Sequence, residues 1–215
     1  MKLFVFLTTI FLISSCSRID TSKIAPGYVQ AYNSIKQLIT GVNNNISPEI
    51  IKAIPYASML VKIGKGPESL MILESINNGD YTWVSADGVY LVINNGRIIK
   101  TYGLKNNLKE VLLPFSEWNN LNQNFDYISY FSFSSPDFNN LKVLSNFSLQ
   151  NKQLINLKLS EKNLQLIEER IFASDIAWEE INKYWFDDDN FVWKSIQHIS
   201  PKLPPIHLEI TKKPL

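Results

Sequence analysis

His198 and His207 are the only histidines in the 215 residues and Cys16 is the only cysteine, so the side-chain chemistry open to this chain is narrow. Two imidazoles nine positions apart, with a proline-rich bend between them, do not make a recognised metal spacing; neither a metal nor a catalytic role is expected of them. Asp187-Asp188-Asp189 clusters carboxylates as calcium sites do, but it lies between two aromatic strand segments, where a solvated hairpin loop accounts for it. Glu168-Glu169-Arg170 and Glu179-Glu180 contain carboxylate pairs of the kind a glycosidase uses. A working pair must face one cleft at a defined separation, whereas neighbours on a strand point to opposite faces. There is no Gly-rich phosphate loop and no nucleophile elbow. No catalytic residue and no cofactor are expected.

Cys16 is different, because its neighbours explain it. Lys2 precedes an apolar run over 3–13, and Ser14-Ser15 lead into Cys16. That is the pattern of a secretory signal peptide over 1–15. The run is too short to cross about 30 Å of hydrocarbon as a permanent helix. Ile13-Ser14-Ser15-Cys16 resembles a bacterial lipobox, in which cleavage leaves the cysteine as the first residue. The resemblance implies a covalent diacylglycerol on the Cys16 sulfur and an N-acyl chain on the new amino terminus. Two or more acyl chains anchor stably, at about 0.8 kcal/mol per buried methylene. Ser17 is not the aspartate associated with inner-membrane retention, so the expected location is the periplasmic face of a Gram-negative outer membrane.

Aromatic side chains are the remaining candidates for recognition. Tyr127, Tyr130, Phe131, Phe133 and Phe138 form one cluster, and Trp178, Tyr184, Trp185, Phe186, Phe191 and Trp193 another. Exposed rings stack on sugars or bury against a partner protein; buried rings fill a β core. Tyr127, Tyr130, Trp178, Tyr184, Trp185 and Trp193 are the candidate partner or glycan contacts, with core packing the competing reading.

The elements that would position them are mostly strands. After a polar tether over 16–26, Val29, Tyr32, Ile35 and Ile39 make an apolar stripe that predicts a helix over 28–40. Ser47-Pro48 predicts the N-cap and first turn of a short second helix that Pro55 ends. Alternation then predicts strands over 59–63, 70–76, 81–85 and 89–93. Asn95-Gly96 predicts a type I′ hairpin into a strand over 97–102. The stretch 106–124 is irregular. Strands resume over 125–133, 142–150 and 154–159, and 164–173 fits either a helix or a strand. A hairpin over 184–199 and a last strand over 206–210 close the chain. The fold class is mainly β: an antiparallel meander forming a sandwich or strongly curved half-barrel, with one or two short N-terminal helices, as a single domain over 27–215.

Charge excludes some partners. The chain carries 21 basic and 20 acidic residues, and loss of Lys2 with the signal leaves 20 against 20. A neutral domain has no basic excess for nucleic acid, which is therefore not an expected partner.

Several segments in order resemble the GfcB/YjbF family of bacterial lipoproteins, associated with group 4 capsule and exopolysaccharide export. They are Ile51-Lys52-Ala53-Ile54-Pro55-Tyr56-Ala57-Ser58-Met59, Val92-Ile93-Asn94-Asn95-Gly96-Arg97-Ile98-Ile99-Lys100-Thr101, the stretch 104–108, Tyr184-Trp185-Phe186-Asp187, and 205–214. The middle, 115–173, carries no matching segment. The resemblance implies a mostly-β lipoprotein without a family enzymatic activity. It also implies a process, secretion or assembly of a surface polysaccharide. The expected partners are the outer membrane through the anchor, an outer-membrane polysaccharide export protein, and the polysaccharide itself. A second reading is a carrier of lipid or lipoprotein acyl chains, which would need a continuous apolar cavity of several hundred Å3.

Overall fold

The computed structural model describes residues 46–113, 125–135 and 137–214. Cys16, the tether and the 28–40 helix lie outside them.

Chain entry to the domain follows the capping signals. The Ser47 side chain accepts from the Ile50 N–H, Pro48 takes the first helical position, and α1 (Pro48–Ala53) ends before Pro55. Among the described residues twelve strands follow: β1 (Ser58–Ile63), β2 (Glu68–Asn77), β3 (Asp80–Ser85), β4 (Tyr90–Asn94), β5 (Arg97–Tyr102), β6 (Leu108–Leu112), β7 (Phe125–Ser134), β8 (Asp137–Asn156), β9 (Glu161–Ala173), β10 (Trp178–Phe186), β11 (Val192–Gln197) and β12 (Ile206–Lys212). The positive φ of Asn95 and Gly96, +45° and +78°, turns β4 into β5 as the Asn-Gly pair requires.

All pairings are antiparallel, in the order β5-β4-β3-β2-β1-β12-β11-β10-β9-β8-β7-β6. The first and last strands pair, and the two end strands of the sheet, β5 and β6, are consecutive in the chain. Register shifts interrupt seven pairings, and such bulges raise twist and bend a sheet. The meander is mainly β as expected, but it curls further than a sandwich or half-barrel. It is a nearly closed barrel. At the β5–β6 seam the Leu108 N–H donates to the Thr101 hydroxyl at 2.9 Å, and the Leu104 N–H to the Asn107 side chain at 3.0 Å.

Inward positions alternate along the strands and fill the barrel. Met59, Met71, Trp83, Leu91, Phe131 and Trp178 belong to one buried cluster drawn from strands all round the ring. Outside, α1 lays Ile51 and Ile54 on Leu60, Leu70, Ile72 and Val84 of β1–β3. A second cover comes from the β8–β9 hairpin. The expected strands over 142–150 and 154–159 are one 20-residue strand, bent by a register shift between Leu149 and Lys152. Beyond the bend the hairpin folds back as a strap. Gln153 accepts from the Trp185 indole at 3.1 Å, Ile155 packs on Leu164, Leu166 and Trp185, and Leu159 reaches the cluster under α1. At its tip, the Lys158 backbone N–H donates to Glu209 at 2.5 Å and its ammonium pairs with Glu68 at 3.2 Å.

Candidate functional site

The titratable groups that converge are ones the spacing did not pair. The Asn95-Gly96 turn folds against Val192, so closely that a Cβ on Gly96 would overlap the valine. This sends Arg97 into the barrel. Glu169 arrives from β9 on the inward side between Ile167 and Ile171, all three buried. Its Oε1 accepts from the Tyr127 hydroxyl at 2.7 Å and faces the Arg97 guanidinium at 3.4 Å. Its Oε2 accepts from Tyr184 at 2.8 Å and from the Asn182 amide at 3.2 Å. The guanidinium also lies over the Phe147 ring, 4.8 Å from its centre, while Tyr127 stacks on Phe147 at 5.2 Å.

Burial alone would raise the Glu169 pKa, but the Arg97 charge and the three donors outweigh it and hold the carboxyl below the ordinary glutamate value. Burial would likewise lower Arg97, and Glu169 together with Tyr127 and Tyr184 more than offsets it. The Tyr127 and Tyr184 phenols are pushed up, first by burial and then by the carboxylate. All four groups therefore keep their ordinary charge states at neutral pH. They form a buried ion pair in which each oxygen of Glu169 already faces two donors, Tyr127 and Arg97 on Oε1 and Tyr184 and Asn182 on Oε2.

Asn182 links this centre outward. Its carbonyl accepts the His198 backbone N–H at 2.7 Å, and His198 Nε2 lies 3.4 Å from Glu180. Burial lowers the His198 pKa against the pull of Glu180. Gln197 completes the arrangement as a strand surrogate. Its carbonyl accepts from the Ile98 N–H at 2.9 Å and its amide donates to the Gly96 carbonyl at 2.8 Å. A cleft beneath β5 and β6 touches Arg97, Glu169, Asn182, Gln197 and His198 and has about 20 Å3 of free room. That admits about one water.

The sequence-level candidates divide by burial. Tyr127, Trp178, Tyr184 and Trp185 are buried; Tyr130 is exposed and Trp193 half-buried. Tyr127 and Tyr184 serve the Glu169 carboxylate, Trp178 packs on Phe131 and Phe133, and Trp185 lies under the strap. Trp193 Nε1 donates to Asp187 at 2.7 Å. The aspartate run behaves as a hairpin loop: Asp187 also accepts the N–H groups of Asp189 and Phe191, and Asp188 pairs with Lys152 at 2.6 Å. The adjacent glutamates part as strand geometry demands. Glu168 faces out to Lys183 at 2.8 Å while Glu169 faces in, and Glu179 faces out to Arg170 at 3.6 Å. His207 sits beside Lys62 in the β1–β12 ladder, its pKa lowered by burial and then by that lysine and Lys194. The Arg97–Glu169 pair was missed by local spacing, although a glutamate inside the inward period of Ile167 and Ile171 was its one visible sign.

The family described as group 4 capsule polysaccharide lipoprotein, GfcB and YjbF, matches residues 33–211. The uncharacterized lipoprotein GfcB of Escherichia coli K12 is 36% identical over 66 residues, an alignment spanning 31% of this chain and 31% of that protein. The uncharacterized lipoprotein YjbF of Escherichia coli K12 is 23% identical over 180 residues, 78% of this chain and 80% of that one. The crystal structure of the hypothetical lipoprotein YmcC from Escherichia coli K12 superposes with a TM-score of 0.74 at 22% identity, covering 86% of this chain and 97% of that one. At that identity the likeness speaks for the fold.

Proposed function

Because the chain belongs to the family of group 4 capsule polysaccharide lipoproteins, we propose that it is a non-enzymatic accessory in secretion or assembly of a capsule or exopolysaccharide. In this reading acyl chains on Cys16 hold the domain at the periplasmic face of the outer membrane, and its outer surface docks an export partner or the passing glycan. The observation that carries it is the filled interior. Trp83, Phe131, Trp178 and their neighbours occupy the barrel, and the Glu169 carboxylate takes its donors from the chain's own groups. Among the described residues the outer surface carries the remaining candidate contacts, Tyr130 and Trp193. The acyl-chain carrier needs several hundred Å3 of apolar room; among the described residues the cleft beneath the seam offers about 20 Å3.

The test is a pull-down of the lipidated protein from outer membranes, with bound proteins and bound glycan both analysed. Recovery of an outer-membrane export protein or of its polysaccharide is expected. Recovery of phospholipid and other lipoproteins alone would overturn the proposal.

A further inference from the structure

The outward positions of β7, β8 and β9 form a grid. Ile128 stands opposite Leu144 and Leu144 opposite Phe172, so three large apolar side chains cross three strands in one row. They are 41%, 43% and 41% exposed. The next outward row, two residues along, reads Asp126, Asn146, Arg170. In both rows the central strand carries the uncharged middle. Its flanks carry an acid on β7 and a base on β9 in one row, an aliphatic on β7 and an aromatic on β9 in the other. Parts of the apolar outer surface are covered, by α1 over β1–β3 and by the strap over β10 and β11, while other exposed apolar side chains such as Ile76 and Leu154 do not belong to such a three-strand row. Among the described residues nothing packs over this row.

We propose that a second copy of the chain covers it, as a face-to-face dimer whose twofold axis runs along β8. Such an axis exchanges β7 with β9. It sets Asp126 against Arg170 of the second copy twice over, Ile128 against Phe172 twice over, and Leu144 against its own image. Sheets packed face to face keep their strands within about 30° and stand about 10 Å apart, so rows this close to the axis stay matched. An isologous contact has to be self-complementary in this way; a foreign partner would not require acid and base mirrored about Asn146. One row beyond Leu144 the axis also brings Lys142, opposite Tyr130, toward its own image at the edge of the contact. Arg170 also keeps its exposed pair with Glu179, and Asp126 its bond from Asn146. The patch is smaller than a standard interface of about 800 Å2 per partner, which makes the dimer weak and concentration-dependent.

The test is crosslinking of the full chain in its membrane. Leu144→Cys places a thiol on the axis, and a bismaleimide bridges a gap of about 10 Å that a disulfide, limited to Cα separations under about 7 Å, does not. A band at twice the mass is expected from Leu144→Cys. It is not expected from the wild-type chain, nor from Ile76→Cys, which is 45% exposed on β2. In the Leu144→Cys background, Asp126→Lys or Arg170→Asp alone should lower the yield about five- to tenfold, because symmetry doubles each like-charge contact. The two together should restore it. Absence of the double-mass band, equal crosslinking from Ile76→Cys, or single swaps without effect would overturn the proposal. Adducts only to a protein of different mass would overturn it as well, and would assign the face to a heterologous partner.

Discussion

Replacing Glu169 by Gln tests the buried centre, because it removes one charge and almost no volume. In the native protein the carboxylate is 3% exposed and faces Arg97, Tyr127, Tyr184 and Asn182. The variant leaves the guanidinium inside the barrel with the Tyr127 hydroxyl and ring faces but no counter-charge. Breaking a buried pair from one side costs about 3–5 kcal/mol, a large part of the roughly 5–15 kcal/mol that holds a domain together. Arg97→Met should cost less, since the carboxylate keeps three neutral donors. The double variant should fall short of the sum of the singles by about 1–3 kcal/mol. Urea unfolding followed by circular dichroism measures all three. The pH dependence carries an independent sign. Glu169 has a depressed folded pKa, so its contribution is complete above the unfolded value of about 4.3 and is lost as pH falls through the lower folded value. The gap between wild type and Glu169→Gln should therefore close in acid and stay constant from about pH 5 to 8. A Glu169→Gln cost under about 1 kcal/mol, additive singles, or a gap that widens in acid would refute the reasoning.

Gly96→Ala should destabilise by about 2–5 kcal/mol and lower the melting temperature by about 5–15 °C, since φ is +78° and the new Cβ meets Val192. Gly88→Ala, at φ +83° but with open space around it, should cost only the conformational part, about 1–2 kcal/mol. Lys158→Ala removes the half-buried pair with Glu68; global stability should change by less than about 1 kcal/mol, while limited proteolysis at 157–160 accelerates several-fold as the strap opens locally. Cys16→Ser should move the protein from the membrane fraction to the soluble periplasm and abolish metabolic labelling with palmitate, with the circular dichroism of the domain unchanged.

Local turn chemistry made much of the fold legible. Asn95-Gly96 takes positive φ at the expected turn, as do Asn78-Gly79 and Gly88 between the strands they join, and Ser47-Pro48 starts the helix it predicts. The ambiguous stretch over 164–173 is a strand because Ile167, Glu169, Ile171 and Ala173 share the inward face at period two. What local pattern could not convey was long-range. Nothing in 58–63 announces its pairing with 206–212, and that pairing is what curls the meander into a barrel. β6 hid in the irregular stretch after Tyr102 because Leu108–Leu112 is short and has only one hydrogen-bonded neighbour. Arg97 meets Glu169 across 72 positions, a contact set by the ring of strands. The aromatics cluster in sequence, yet period-two alternation alone does not say which face of a closed sheet is wet: Tyr127, Trp178 and Tyr184 turn inward, and Trp185 is buried on the outer face under the strap.

The β1–β12 pairing also bears on how the chain reaches its fold. Traced from β6 through β12 and on through β1 to β5, the sheet is an unbroken run of hairpin neighbours. The chain is thus a circularly permuted up-and-down barrel, cut between β12 and β1 where Ser58 bonds Thr211 across 153 positions. That one closure has high contact order, and it waits for the last strand to be synthesised. Both future neighbours present bare edges until then. Rejoining the ends and recutting within 103–107 would make every strand pairing local, so refolding should accelerate while the native packing is retained.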